Sequence, residues 1–163
     1  MSRTLFLILA LSFAFIFCSQ KPAQQRPRVY DFEYVLDSNE IKQLSLLYSN
    51  HEKKTTNEIV LLTTSDYGND STIESYAQNM FNRRGIGKKG INNGVLIVYS
   101  GANRQVRIHL GYGTEKVMAD SVAKEIIVSL MISHFRKGEV FEGIWAGSKA
   151  IVEFLERPEN KIK

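Results

Sequence analysis

Residues 58–110 read EIVLLTTSDYGNDSTIESYAQNMFNRRGIGKKGINNGVLIVYSGANRQVRIHL. Two runs in it, 59–62 and 95–98, are apolar at every position and rich in β-branched residues. A strand of that kind is covered on both faces. Between them Ser71 with Glu74 has capping-box spacing, and Ile73, Tyr76, Ala77, Met80 and Phe81 recur at helical intervals. Arg83 and Arg84 fall in the last turn, where cations suit the helix dipole. The stretch 58–99 is therefore a β-α-β unit, expected to be parallel with a right-handed crossover. Residues 104–110 alternate apolar with polar, so they are expected to return as a hairpin partner of 95–99.

The rest follows outward from this unit. Upstream, 29–32 is a short extended start, and Asp37 with Glu40 opens a helix through Ile41, Leu44, Leu47, Tyr48 and His51. Downstream, Gly111-Tyr112-Gly113 breaks the strand. Asp120 and Ser121 then open a helix bearing Val122, Ile126, Leu130 and Met131, closed by Arg136-Lys137-Gly138. A last helix carries Val140, Ile144, Ile151 and Leu155, with Gly147 allowing close approach. Two strands buried on both faces need helices on both sides. The expected fold is α/β, a three-layer α/β/α sandwich with a mixed sheet of about four strands.

The chain has 163 residues, 44% hydrophobic and 23% charged. That is one domain of ordinary size with enough apolar residues for a core, which excludes disordered, collagenous, repeat and multi-span membrane classes. A single cysteine excludes a disulfide framework and a cysteine-built zinc site. The formal charge of +4 is too small to argue for a nucleic-acid partner.

Residues 1–18 read as a secretion signal of the lipoprotein type. Arg3 supplies the positive start, and the apolar run 5–17 is too short to cross a bilayer. Cys18 ends that run. The segment Phe15-Ile16-Phe17-Cys18 resembles a bacterial lipobox, except that Phe17 stands where a small residue is usual. Lipidation at Cys18 is the expectation, with a lone unmodified cysteine as the alternative. Residues 19–28 are polar, contain two prolines and form a tether. The domain proper spans 29–157, and 158–163 is a polar tail. The expected place is the bacterial cell envelope, with the domain held outside the cytoplasm, in the periplasm.

Residues 85–90 match G-x-G-x-x-G. A dinucleotide fingerprint follows a strand and opens a helix, whereas this one does the reverse, so it is rejected. His51, His109 and His134 are scattered and read as packed or solvated side chains. The basic pairs Arg83-Arg84 and Lys88-Lys89 are either helix-end and loop cations or a patch facing phosphate, an acidic substrate or a lipid headgroup. Asp31, Asn93 and Asp120 carry the oxygen ligands that Ca²⁺ or Mg²⁺ prefers, at element ends. From spacing alone they read equally as caps and turn residues.

Taken in order, Val29-Tyr30-Asp31, the capped helix, Glu58-Ile59-Val60, Phe81 to Gly87, Asn92-Asn93-Gly94-Val95-Leu96-Ile97, Gly111-Tyr112-Gly113 and Asp120 resemble the TPM domain family over about 29–155. That resemblance implies an α/β/α sandwich on the outer side of a membrane. It also implies an acid-phosphatase-like activity linked to Ca²⁺ in some thylakoid members. Asp31, Asn93 and Asp120 match the family's polar positions, and Tyr112 its G-Y-G motif. Asn92-Asn93 stands where many members have an aspartate-containing pair.

Two functions are compatible with this. In the first, a non-enzymatic module tethered to the membrane binds envelope proteins or serves their assembly or quality control. In the second, Asp31 and Asp120 act with Asn93 on a divalent cation to hydrolyse phosphomonoesters, and Arg84 and Lys88 counter substrate charge. Gly94 and Tyr112 would complete the binding surface.

Overall fold

A computed structural model describes residues 26–162. The sheet contains β1 (Val29–Asp31), β2 (Glu58–Thr63), β3 (Gly94–Ser100) and β4 (Gln105–Leu110), in the spatial order β1-β2-β3-β4. The first three are parallel, with Asp31 beside Thr63 and Glu58 beside Gly94. β4 returns antiparallel to β3, with Val95 opposite Leu110. The hairpin is as expected. Every residue of β2 and β3 is buried, as runs without polar alternation require.

Helix α1 (Ser38–Thr55) starts on the expected Asp37–Glu40 capping box. In α2 (Ile73–Arg84) the cap sits one residue later than expected. Thr72 accepts from Ser75 N–H, and Ser75 reciprocates to the Thr72 N–H. Four helical segments follow β4: α3 (Tyr112–Glu115), α4 (Asp120–Ile126), α5 (Ile132–Phe135) and α6 (Val140–Leu155). A π-helical turn, Ile127–Met131, joins α4 to α5.

One face of the sheet packs Ile59, Leu61, Val95 and Ile97 against Leu44 and Tyr48 of α1 and Ile144 and Ile151 of α6. The other packs Val60, Leu62, Leu96 and Val98 against Ile73, Ala77, Met80 and Phe81 of α2. The three layers are therefore present, one face under several helices and the other under α2.

Both crossovers advance the same way across the sheet, yet α1 and α2 lie on opposite faces. Two such connections have opposite hands, so one of the pair departs from the right-handed rule. At the carboxyl ends of β1 and β2 the outgoing loops consequently part toward different layers. That parting is the geometry that opens a crevice in α/β sheets.

The π turn explains a second departure. Ile126 and Met131 are both buried although five residues apart, while Leu130 is 39% exposed. Five residues overshoot an α-helical turn by about 140°. The wider turn, in which Ile132 N–H reaches Ile127 O, brings Met131 back to the core and turns Leu130 out. Met131 then lies against Gly147, where a Cβ would stand 2.6 Å from its sulfur.

Candidate functional site

The residues singled out in the sequence fall at three separate places. Asp31 ends β1 at the carboxyl end of the sheet. Its carboxylate accepts from Thr63 Oγ1 at 2.5 Å, Leu36 N–H at 3.0 Å and Val35 N–H at 3.3 Å. Asp120 begins α4 beside the opposite edge strand, where Arg107 of β4 donates to it at 2.9 Å. The sheet's width, about 14 Å over three strand spacings, separates the two acids.

Asn93 precedes β3 at the amino end of the sheet. The five-residue step from Glu58 to Thr63 along β2 puts it about 17 Å from the level of Asp31. Among the described residues no group of three or more His, Cys, Asp or Glu is placed to hold a metal. The expected cation set Asp31–Asn93–Asp120 therefore does not assemble. Asp31 and Asn93 spend their oxygens on neighbouring backbone and hydroxyl groups, Asp120 pairs through Oδ1 with Arg107, and no step is derived through Ca²⁺ or Mg²⁺.

At the amino end the structure does gather several of the remaining candidates. Asn93 is fully buried. Its Oδ1 accepts from Lys88 N–H at 2.9 Å, and its Nδ2 donates to Thr56 O at 2.8 Å. Gly94 O accepts from Gly111 N–H at 2.9 Å and Thr114 Oγ1 at 3.1 Å, while Asn92 O accepts from Gly113 N–H at 3.1 Å. The backbones touch: a Cβ on Gly94 would lie 2.7 Å from Ile86 O, and one on Gly113 would overlap Ile91 O. The three glycine motifs thus fit one another, which requires residues without side chains.

Glu58 sits in the same region. It accepts from Gly87 N–H at 2.8 Å and pairs with Arg28, which also pairs with Glu52. Arg84 lies beside this knot, lining a small cavity with Glu58 and Ile86, its guanidinium 3.7 Å from the centroid of the Tyr30 ring. Tyr112 is 67% exposed, with Lys116 Nζ 4.6 Å from its ring centroid.

The carboxyl end is more open. Glu33, which the sequence reading passed over, reaches from the loop after β1 to the turn after β3. It accepts from Gly101 N–H at 2.9 Å and Ala102 N–H at 3.1 Å. Its signal was position alone: an acid two residues past Asp31, in the loop that leaves the carboxyl end of β1. Gly101 also lines a cleft of about 870 Å³ beside β4, walled by Tyr99, Val106, Ile127 and Phe135 and flanked by Arg104 and Arg136. The rings of Tyr99 and Phe135 meet at 4.9 Å.

The histidines are packed. His51, 1% exposed, contacts Glu156 Oε1 and Thr55 Oγ1, both at 3.2 Å. Burial lowers its pKa, and the hydrogen bond to the Glu156 carboxylate raises it part of the way back. His109 packs against the edge of Phe81, and burial with the charge of Arg107 lowers it too. His134 lies 2.7 Å from Glu139. Leader 1–18, with Cys18, and tether residues 19–25 lie outside the described residues.

The family model described as "TPM domain" matches residues 29–154, which is most of the chain. The chain belongs to the TPM domain family. The glycine knot is thus where the glycine-bearing motifs quoted above meet, while Asp31 and Asp120 stand elsewhere. Three NMR structures are similar. The N-terminal domain of a P. gingivalis protein is 26% identical with a TM-score of 0.75, covering 84% of this chain and 87% of that one. The BA42 protein of the psychrophilic bacterium Bizionia argentinensis is 20% identical with a TM-score of 0.67, covering 81% and 88%. The N-terminal domain of a Corynebacterium glutamicum protein is 12% identical with a TM-score of 0.63, covering 83% and 84%; these last two are likenesses of fold. A comparison with curated proteins finds no match.

Proposed function

We propose that this TPM domain is a binding or assembly module of the bacterial cell envelope. It would be tethered outside the cytoplasm by lipid on Cys18 and would take extended segments of other envelope proteins. The observation that supports this is the cleft beside β4, the strand that ends the sheet. An edge strand leaves a row of backbone donors and acceptors for an incoming chain. Strand addition uses that row for affinity and adjacent pockets for specificity. Val106, Ile127 and Phe135 supply apolar contact there, and Arg104 and Arg136, set against the single lining acid Glu74, favour an acidic side chain or a carboxylate.

The phosphomonoester hydrolase reading is weaker on this geometry. Asp31 already accepts three hydrogen bonds, and Asp120 pairs with Arg107 across the sheet from it. The test places a photo-crosslinking residue at Gln105, with Lys42 as the control position, in the full chain expressed in cells. Crosslinks to envelope proteins from Gln105 alone are expected, with aryl phosphate hydrolysis at background with or without Ca²⁺ or Mg²⁺. Metal-dependent turnover lost in the Asp31→Ala, Asp120→Ala variant would overturn the binding reading. The anchor has its own check, since Cys18→Ala is expected to move the protein from the membrane to the soluble fraction.

A further inference from the structure

In residues 26–162 the charges nearly cancel, because Arg3, Lys21 and Lys163 fall outside and leave 18 cations against 17 acids. Their placement is nevertheless uneven. Helices α1 and α2 run opposite to the parallel strands, so both end at the sheet's amino end. Their last turns carry Lys53, Lys54, Arg83 and Arg84. Dipole compensation accounts for those four. It does not account for Lys88, Lys89 and Lys116, which lie on the loops that the glycine knot holds at the same end. Arg26, where the described chain begins, is there too, its Nη1 donating to Arg84 O at 2.6 Å.

The acids at this end are largely engaged. Glu52 and Glu58 are paired with Arg28, and Glu156 is bonded to His51 and to Lys54, whose side chain stays 67% exposed, leaving Glu115, Glu153 and Glu159 exposed. The opposite end carries Asp31, Glu33, Asp37, Glu40, Asp66 and Asp70. Two exposed apolar side chains, Ile91 and Tyr112, stand among the cations. A tyrosine flanked by lysines is suited to an interface with an apolar side and a wet one.

We infer that the amino end of the sheet is a docking face for an anionic phospholipid bilayer, with Lys53, Lys54, Lys88, Lys89 and Lys116 against the headgroups and Tyr112 at their level. A bilayer is chosen over a soluble polyanion for two reasons. The described chain begins at this face with Arg26, and the sequence before it holds the apolar run 5–17. The face also combines scattered cations with apolar tips rather than a charged groove. Docked this way, the domain presents the β4 cleft and the carboxyl-end crevice away from the membrane. The inference uses the anchored reading only to bring the chain to the bilayer.

The test reconstitutes the full chain with vesicles of phosphatidylcholine alone and of phosphatidylcholine with phosphatidylglycerol. Retention on the vesicles and the rate of lysine acetylation at each residue are both read. On anionic vesicles, labelling of Lys53, Lys54, Lys88, Lys89 and Lys116 is expected to slow about threefold or more, while Lys42, Lys124 and Lys149 are unchanged. The protection is expected to vanish near 0.5 M salt, where the screening length falls to about 4 Å. A chain retained on both vesicles with the same footprint overturns the inference while leaving the anchor intact. A chain retained only on anionic vesicles, with these lysines protected, supports the docking face and rejects the anchor. Equal protection by heparin without vesicles assigns the face to soluble polyanions and overturns the bilayer. The Lys88→Glu, Lys89→Glu variant, altered only at exposed side chains, is expected to lose the anionic-vesicle footprint with an unchanged circular dichroism spectrum.

Discussion

The two ends of the sheet are built from opposite materials. At the amino end, backbone lies directly on backbone: Gly94 against Ile86, Gly113 against Ile91, with Asn93 buried between them. At the carboxyl end, side chains do the bridging. Asp31 ties its own loop, and Glu33 spans to the β3–β4 turn beside an open cleft. Backbone contact tolerates almost no change of residue, whereas a carboxylate bridge can be remade by a neighbour or by water. The difference assigns rigidity and family signature to one end and exchangeable surface to the other.

The sharpest break of this contrast is Gly113→Val, which drives a side chain into Ile91 O. It is expected to cost about 3 kcal/mol or more by urea unfolding, if the protein folds at all. A cost below about 1 kcal/mol would mean the knot is looser than described. Next come Asn93→Ala and Asp31→Ala, made as a pair. The first removes a fully buried amide that ties Lys88 N–H to Thr56 O and is expected to cost about 2–3 kcal/mol. The second removes a half-buried carboxylate and frees the Val35 and Leu36 amides of its own loop, for about 1–2 kcal/mol. Equal costs would erase the distinction between the ends.

A smaller effect concerns pH. Because burial holds His51 below 6.5, the unfolded chain takes up the proton first on acidification. Stability present above pH 6.5 is therefore lost progressively below it, and Tm is expected to fall from pH 7 to pH 5.5. His51→Phe should flatten that slope without abolishing it, since His109 is lowered with the same sign. Smallest of all, Asp120→Ala removes an ion pair whose acid side chain is 62% exposed and is expected to change stability by less than about 0.5 kcal/mol.

Local signals carried most of the fold. The continuous apolar strands, the Asp37–Glu40 box and the hairpin are written within a few residues of where they act, and the structure places them as read. Thr72 displaced Ser71 as the α2 cap because adjacent hydroxyls offer the same signal. The candidate site was less legible. Asp31 ends β1 and Asn93 precedes β3, and in parallel strands an ending and a beginning face opposite ways. Element order thus already told against their meeting. The Arg107–Asp120 pair and the reach of Glu33 depend on which face each loop takes, and the opposite-handed crossovers set that, not spacing.

The widened turn at Ile127–Met131 has a consequence for how this helix tolerates changes of length. Its flanks are each seated independently, Ala123 and Ile126 on one side and Met131 on the other. Removing one solvent-facing residue, Ser129, would leave the buried pair four apart, an ordinary helical repeat. Here the chain holds a spare residue that could be lost without unseating either half, at the rim of the cleft where a change of contour alters what fits.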